Sequence, residues 1–295
     1  MPARPAPDRS SRIATYGAAL LALAALAVAA IPTPSSGAGT ERRYTTRTAT
    51  ETSSNWAGFA ATSASEATPA TFTSVTGTWK QPSATCTASG PASASAVWVG
   101  LGGYDLDSQA LQQVGTDADC TSAGKPSYYM WYELVPDPPV NVKLKIRPGD
   151  TITASVNSTG GVIWLQLKNR TTGASFDRKI AVTTPDLTSA EWIVEAPSSC
   201  SSFSCRPVPL ANFGSVAFTK IAAIGDGQPG TLADSTWSVV PIQLVPRSRG
   251  GFFPGEERGL IQTGSSAGTT VPASTADGRG FSISWAANAA ASPSG

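Results

Sequence analysis

Val140-Asn141-Val142-Lys143-Leu144-Lys145-Ile146-Arg147-Pro148-Gly149-Asp150-Thr151-Ile152-Thr153-Ala154-Ser155-Val156 is the stretch that decides the fold. Val142, Leu144 and Ile146 alternate with Lys143 and Lys145, a period of two that sets apolar side chains on one face of a strand and charges in solvent. Pro148 and Gly149 punctuate the run, and Thr151 to Val156 starts a second one. The same rhythm recurs outward in both directions: Phe72 to Trp79, Ala96 to Leu101, Tyr128 to Val135, Val162 to Leu167, Glu191 to Glu195, Val216 to Ile224, Trp237 to Leu244 and Phe281 to Trp285. Val162-Ile163-Trp164-Leu165 is apolar on both faces, which predicts a central strand. About ten strands without a helical period predict an all-β, antiparallel two-sheet sandwich.

Composition narrows the chemistry. The 295 residues contain no histidine, so a Ser/His/Asp or Cys/His nucleophile system is excluded, and histidine-ligated zinc with it. The sequence implies no metal and no cofactor. Lys and Arg total 21 against 20 Asp and Glu, a net charge of +1, and no basic run lies beside interleaved aromatics, so nucleic acid is not an expected partner.

The first 30 residues read as a signal peptide: Arg4, Arg9 and Arg12 precede an apolar stretch from Tyr16 to Ile31, with cleavage expected between Ala29 and Ala38. A signal anchor is the competing possibility, although the run is short for a membrane span. Residues 31–52 are polar and unpatterned, a spacer or pro-segment. The folded domain is expected over 53–286, with a long loop from Pro246 to Thr275 and a disordered tail at 287–295. Export places the chain outside the cell with no stable membrane association, and makes disulfides permissible. Cys86, Cys120, Cys200 and Cys205 allow three pairings, of which Cys200 with Cys205, leaving Cys86 with Cys120, is expected.

Acids inside apolar strands are informative because burying a carboxylate costs free energy unless it is paired or functional. In Glu191-Trp192-Ile193-Val194-Glu195, the two glutamates and Ile193 share one face and Trp192 and Val194 the other. An edge strand with solvated acids would show the same pattern. Gln112-Gln113-Val114-Gly115 supplies an amide able to donate to an oxyanion without changing charge. In Tyr128-Tyr129-Met130-Trp131-Tyr132-Glu133, alternating rings are suited to lining a peptide groove, or to packing in the core.

These segments resemble the glutamic peptidases (eqolisin-like). The resemblance is carried by Ser54-Asn55-Trp56-Ala57-Gly58, Phe72 to Thr78, Trp98-Val99-Gly100, Gln113-Val114-Gly115, Trp131-Tyr132-Glu133, Ala190 to Glu195, and the Cys200–Cys205 loop with Val208 to Phe213. It implies a concanavalin A/lectin-like jelly roll with the site on its concave face. It also implies a Gln113/Glu195 dyad: Glu195 takes a proton from water and then donates to the leaving amine, while Gln113 stabilises the oxyanion. Trp98, Trp56, Trp131, Glu133 and Glu191 are the expected substrate-binding neighbours. Protein or peptide substrates follow, cut by a monomer. A base titrating near roughly 4.3 points to an acid optimum. The fungal members carry aspartates near Gly102 and Tyr129, so shared-proton carboxyl contacts are expected to be missing here.

Two rivals use the same sandwich. A glycoside hydrolase would use Glu191 and Glu195, but residues four apart on a strand are about 13 Å apart, against carboxyl separations of roughly 5 to 9 Å in glycosidases. A non-catalytic carbohydrate-binding module would account for the tryptophans.

Overall fold

The computed structural model describes residues 49–65, 67–105, 108–201, 204–246 and 267–287, without the side chains of residues 199–201 and 204–207. The expected signal peptide, residues 31–48 of the spacer, most of the long loop and residues 288–295 lie outside the described residues. In chain order the strands are β1 (Glu51–Ser53), β2 (Trp56–Ser63), β3 (Phe72–Lys80), β4 (Ala96–Leu101), β5 (Leu111–Cys120), β6 (Pro126–Val135), β7 (Val140–Val142), β8 (Thr151–Thr159), β9 (Val162–Asn169) and β10 (Ser175–Ala181). They continue with β11 (Ser189–Glu195), β12 (Ser198–Ser201), β13 (Ser204–Pro207), β14 (Ser215–Gly225), β15 (Gln228–Gly230), β16 (Trp237–Leu244), β17 (Gly268–Thr269), β18 (Ala273–Ser274) and β19 (Gly280–Ala286).

Two sheets make the sandwich. The first has the order β1-β16-β2-β11-β4-β5-β6-β7, and the second β10-β9-β8-β3-β14-β19-β17, with β15 and β18 as side pairings. Every ladder in the first sheet is antiparallel except β1 with β16. Alternation selects what enters the core: Phe59, Val97, Val99, Val114, Met130, Trp192 and Val194 point inward from the first sheet. They meet Phe72, Trp79, Val156, Leu165, Phe218 and Phe281 of the second. Buried indoles also tie the sheets by hydrogen bonds, as a buried Trp N–H must find a partner. Trp192 Nε1 donates to the Thr76 carbonyl at 2.7 Å, and Trp79 Nε1 donates to Thr116 Oγ1 at 3.0 Å.

The deciding stretch is half right. Val142 and Ile146 are buried, Leu144 is half-buried and both lysines are exposed, but the ladder ends at Val142. Alternation therefore reports burial here and not pairing, since β7 is a sheet edge with a neighbour on one side only. β9 is not central: it is second from its edge, and Trp164 is half-buried beneath the Lys179 ammonium, 4.6 Å from the ring centroid. β2, β5 and β10 complete the sheets without a clear strand signature in sequence, because Ala and Gly in β2 and polar residues in β5 and β10 dilute it. Pairing begins at Glu51, two residues before the expected start, and β17 and β18 lie inside the expected long loop. Cys86 and Cys120 form a disulfide. The register places Cys200 opposite Cys205, while their side chains lie outside the described residues.

Candidate active site

The outer face of the first sheet is built from the residues that alternate with the core. Register brings them into rows across the strands. Glu191 of β11 lies beside Gly100 of β4, which lies beside Gln113 of β5, which lies beside Glu133 of β6. The next row is Ile193, Trp98, Gly115 and Trp131, and the next is Glu195, Ala96, Asp117 and Tyr129. Chain segments far apart in sequence thus deliver one continuous surface. β11 is an interior strand between β2 and β4, so the edge-strand reading of its glutamates falls.

Glycines shape this surface. A Cβ at Gly115 would stand 2.6 Å from Trp98 Cβ and 2.5 Å from the Val97 carbonyl oxygen, and one at Gly100 would stand 2.9 Å from the Trp98 ring. Their bare backbones let the Trp98 indole lie across the sheet. Trp98 is fully buried and meets Trp56 edge to face at 5.0 Å. From that position Trp98 Nε1 donates to Glu195 Oε2 at 2.8 Å, and Asn55 Nδ2 donates to Oε1 at 3.3 Å. Asn55 is itself aligned by Ser53, whose hydroxyl donates to Asn55 Oδ1 at 3.1 Å.

Gln113 is buried, and its Nε2 donates to Glu133 Oε2 at 2.6 Å. A cavity of about 370 Å³ exposes the three groups to one another: Gln113, Glu133 and Glu195 line it, with Ser53, Asn55, Trp56, Gly103, Tyr104, Leu111 and Val135. Burial pushes the Glu195 carboxyl up to about 7, with Glu133 adding repulsion, against the lowering hydrogen bonds of Trp98 and Asn55. Burial likewise raises Glu133, opposed by the Gln113 amide. The ordinary glutamate value expected for the base does not hold in this setting.

The expected neighbours divide into three groups. Trp56 and Glu133 line the cavity, and Trp98 supports Glu195. Trp131 is buried and donates to Asp117 Oδ1. Glu191 has no exposed surface, and its carboxyl oxygens make no hydrogen bond among the described residues. Unlike Trp56 and Glu133, it does not line the cavity. Burial pushes its carboxyl well above the usual range, against the lowering influence of the Ser189 hydroxyl. That burial removes Glu191 as the partner acid in the Glu191/Glu195 pair that the glycosidase reading needs. Asn55, Ser53 and Tyr104 were not singled out by sequence; Asn55 sits just before β2 within a matched segment, the one available signal. Among the described residues no cluster of three or more acidic or sulfur ligands could hold a metal.

Comparisons with known proteins fit this geometry. Residues 54–244 match the Peptidase A4 family. The chain is similar to scytalido-glutamic peptidase bound to a peptide-based transition-state analogue, with 26% identity, coverage of 79% of this chain and 98% of that one, and a TM-score of 0.58. It is similar to the same extent in identity and coverage to SCP-B, a member of the eqolisin family solved with the tripeptide Ala-Ile-His, with a TM-score of 0.57. No curated protein matches the chain significantly. The family match and the structural likeness lead to one identification: the chain belongs to the Peptidase A4 family and is a glutamic peptidase.

Proposed function

We propose that the chain is a secreted, monomeric endopeptidase that hydrolyses proteins in acid, with Glu195 and Gln113 as the catalytic residues and no metal or cofactor. The observation that carries this is the shared cavity in which Gln113, Glu133 and Glu195 meet, each held by a named partner. Because Glu195 is pushed up to about 7, it rests as the neutral acid in acidic solution; at pH 5 about one molecule in a hundred is ionised. The order of proton transfers therefore differs from the base-first scheme.

Glu195 gives its proton to the scissile carbonyl oxygen as water adds to the carbonyl carbon, and the carboxylate so formed takes a proton from that water. Gln113 has two amide hydrogens; one is engaged by Glu133, and the other is free to donate to the same oxygen. Glu195 then protonates the leaving nitrogen as the C–N bond breaks and regains a proton from a hydroxyl of the collapsing diol. The acid is regenerated and one water is consumed. Activity is expected to fall as pH rises through about 7, where Glu195 loses its proton.

The test is peptide release from denatured casein at about pH 3 to 5, with Glu195→Gln losing roughly 10³-fold and Gln113→Ala roughly 10²-fold. Wild-type rates in both variants would overturn the dyad. No release by the wild type would overturn acid proteolysis.

A further inference from the structure

A second set of carboxyls lies beside Glu195 that the hydrolysis does not use. Asp117 of β5 is opposite Tyr129 of β6, and only Ala96 separates it from Glu195 along its row. Asp119 follows two residues on, on the same face. The Tyr129 hydroxyl oxygen is 2.7 Å from Asp117 Oδ2 and 2.8 Å from Asp119 Oδ2. Asp117 is buried, and Trp131 Nε1 donates to its Oδ1.

Counting protons decides what these contacts are. A phenol has one hydrogen, so it donates along one of the two contacts; the other is a hydrogen bond only if the carboxyl brings its own proton and the phenol oxygen accepts it. Two carboxylates would leave a bare oxygen–oxygen contact between the half-buried Tyr129 and a carboxyl, with Asp117 itself buried. One carboxyl is therefore an acid. Asp117 receives Trp131 on one oxygen and Tyr129 on the other, a pair of donors suited to a carboxylate. Asp119 Oδ1 is buried with no hydrogen-bond partner, a position that costs least for the carbonyl of a neutral acid.

We propose that Asp119, Tyr129 and Asp117 form a directed chain of positioning residues. Asp119 donates to Tyr129 and Tyr129 donates to Asp117, so that a single negative charge anchors the Trp131 indole beneath the groove and acts on Glu195 across Ala96. The expected loss of shared-proton carboxyl contacts is thereby corrected: Asp119 supplies the second carboxyl from within β5. The titratable groups acting on Asp117 are Asp119, Tyr129 and Glu195, and the one acting on Glu195 besides is Glu133. Burial raises both carboxyls, against the Tyr129 and Trp131 bonds to Asp117 and the Tyr129 and Ser95 backbone bonds to Asp119, and the two repel each other, so the pair keeps one proton between them. The effect on activity rests on Glu195 being the reacting carboxyl, whereas the proton chain does not.

Two measurements separate these. Difference infrared spectra of Glu195→Gln with and without Asp119→Asn, at about pH 6, should show one protonated-carboxyl band lost with Asp119; no lost band overturns the chain whether or not the Glu195 role stands. Activity of single variants in the otherwise wild-type enzyme then tests direction. Asp119→Asn, whose amide still donates to Tyr129, should stay within about twofold of wild type at pH 5, while Asp119→Leu loses about tenfold. Asp117→Asn should lower the pH at which activity disappears, by removing a charge that keeps Glu195 protonated, and Asp119→Asn should leave that pH unmoved. The reverse assignment of these shifts, or equal activity of the Asn and Leu variants, overturns the proposal.

Discussion

The two faces of the first sheet are made by the same strands and obey different rules. Toward the second sheet, β2, β4, β5, β6 and β11 present Phe59, Val99, Val114, Met130 and Trp192, a hydrocarbon layer closed by indole hydrogen bonds. On the other side the same strands present Glu195, Gln113, Glu133 and Asp117, buried or half-buried carboxyls and amides held by indole, phenol and amide groups, and the buried Glu191. The first face stabilises the fold by removing apolar surface from water. The second strains that stability in neutral solution, because each buried acid resists ionising. A groove of this kind is inexpensive to bury only while its acids keep their protons.

The contrast can be broken most severely from the core side. Trp192→Ala is expected to cost about 4 kcal/mol and the bond to Thr76, enough to unfold a marginal domain; denaturant unfolding measures it. Glu195→Gln should do the opposite, abolishing turnover while leaving the denaturation midpoint at pH 7 equal to or above that of wild type.

The pH dependence of stability sharpens the contrast further. Glu195, Asp117, Asp119, Glu133 and Glu191 all have folded values raised above the unfolded ones. Their contribution is complete below about pH 4 and is lost as pH rises through the folded values, about 7 for Glu195 and higher for the proton that Asp117 and Asp119 share. Asp186, lowered by donors from Ser108, Thr188 and Gly103 that outweigh its burial, works in the other direction and loses its contribution as pH falls below about 4. With five raised groups against two lowered ones, Asp186 and the exposed Asp277, melting temperature should decline from mild acid toward pH 8; a rise would sink this account. Glu191→Gln should flatten part of that decline. The smallest effect is expected at Lys143, exposed on the solvent side of the deciding stretch, where Gln should change stability by no more than about 0.5 kcal/mol.

Most of the sandwich was legible because period-two alternation is a local property, and it located β3, β4, β6, β8 and β11 within a few residues. The end of β7 was not, since Val142 to Ile146 keeps its alternating burial after it has left β6, which itself runs on to Pro126 paired with β5. Gln113, Glu133 and Glu195 were legible through motifs, whereas the rows joining them depend on register between segments far apart in the chain. Glu191 shows the limit most clearly. It shares a face with Glu195 four residues away, yet one has a cavity above it and the other has none. Asp117 and Asp119 carried no isolated signal, because their meaning depends on a phenol from the next strand.

Alternation also has a hereditary consequence. Core and groove are written on alternate codons of the same strands, so point substitutions can retune the pocket around Gln113 while Gln112 and Val114 go on packing undisturbed. An inserted or deleted codon within β11 has no such freedom: it would turn Trp192 into the groove and a glutamate into the hydrocarbon layer at one stroke. Lineages of this protein should therefore diversify by replacement inside the central strands and by length change only in the connections between them.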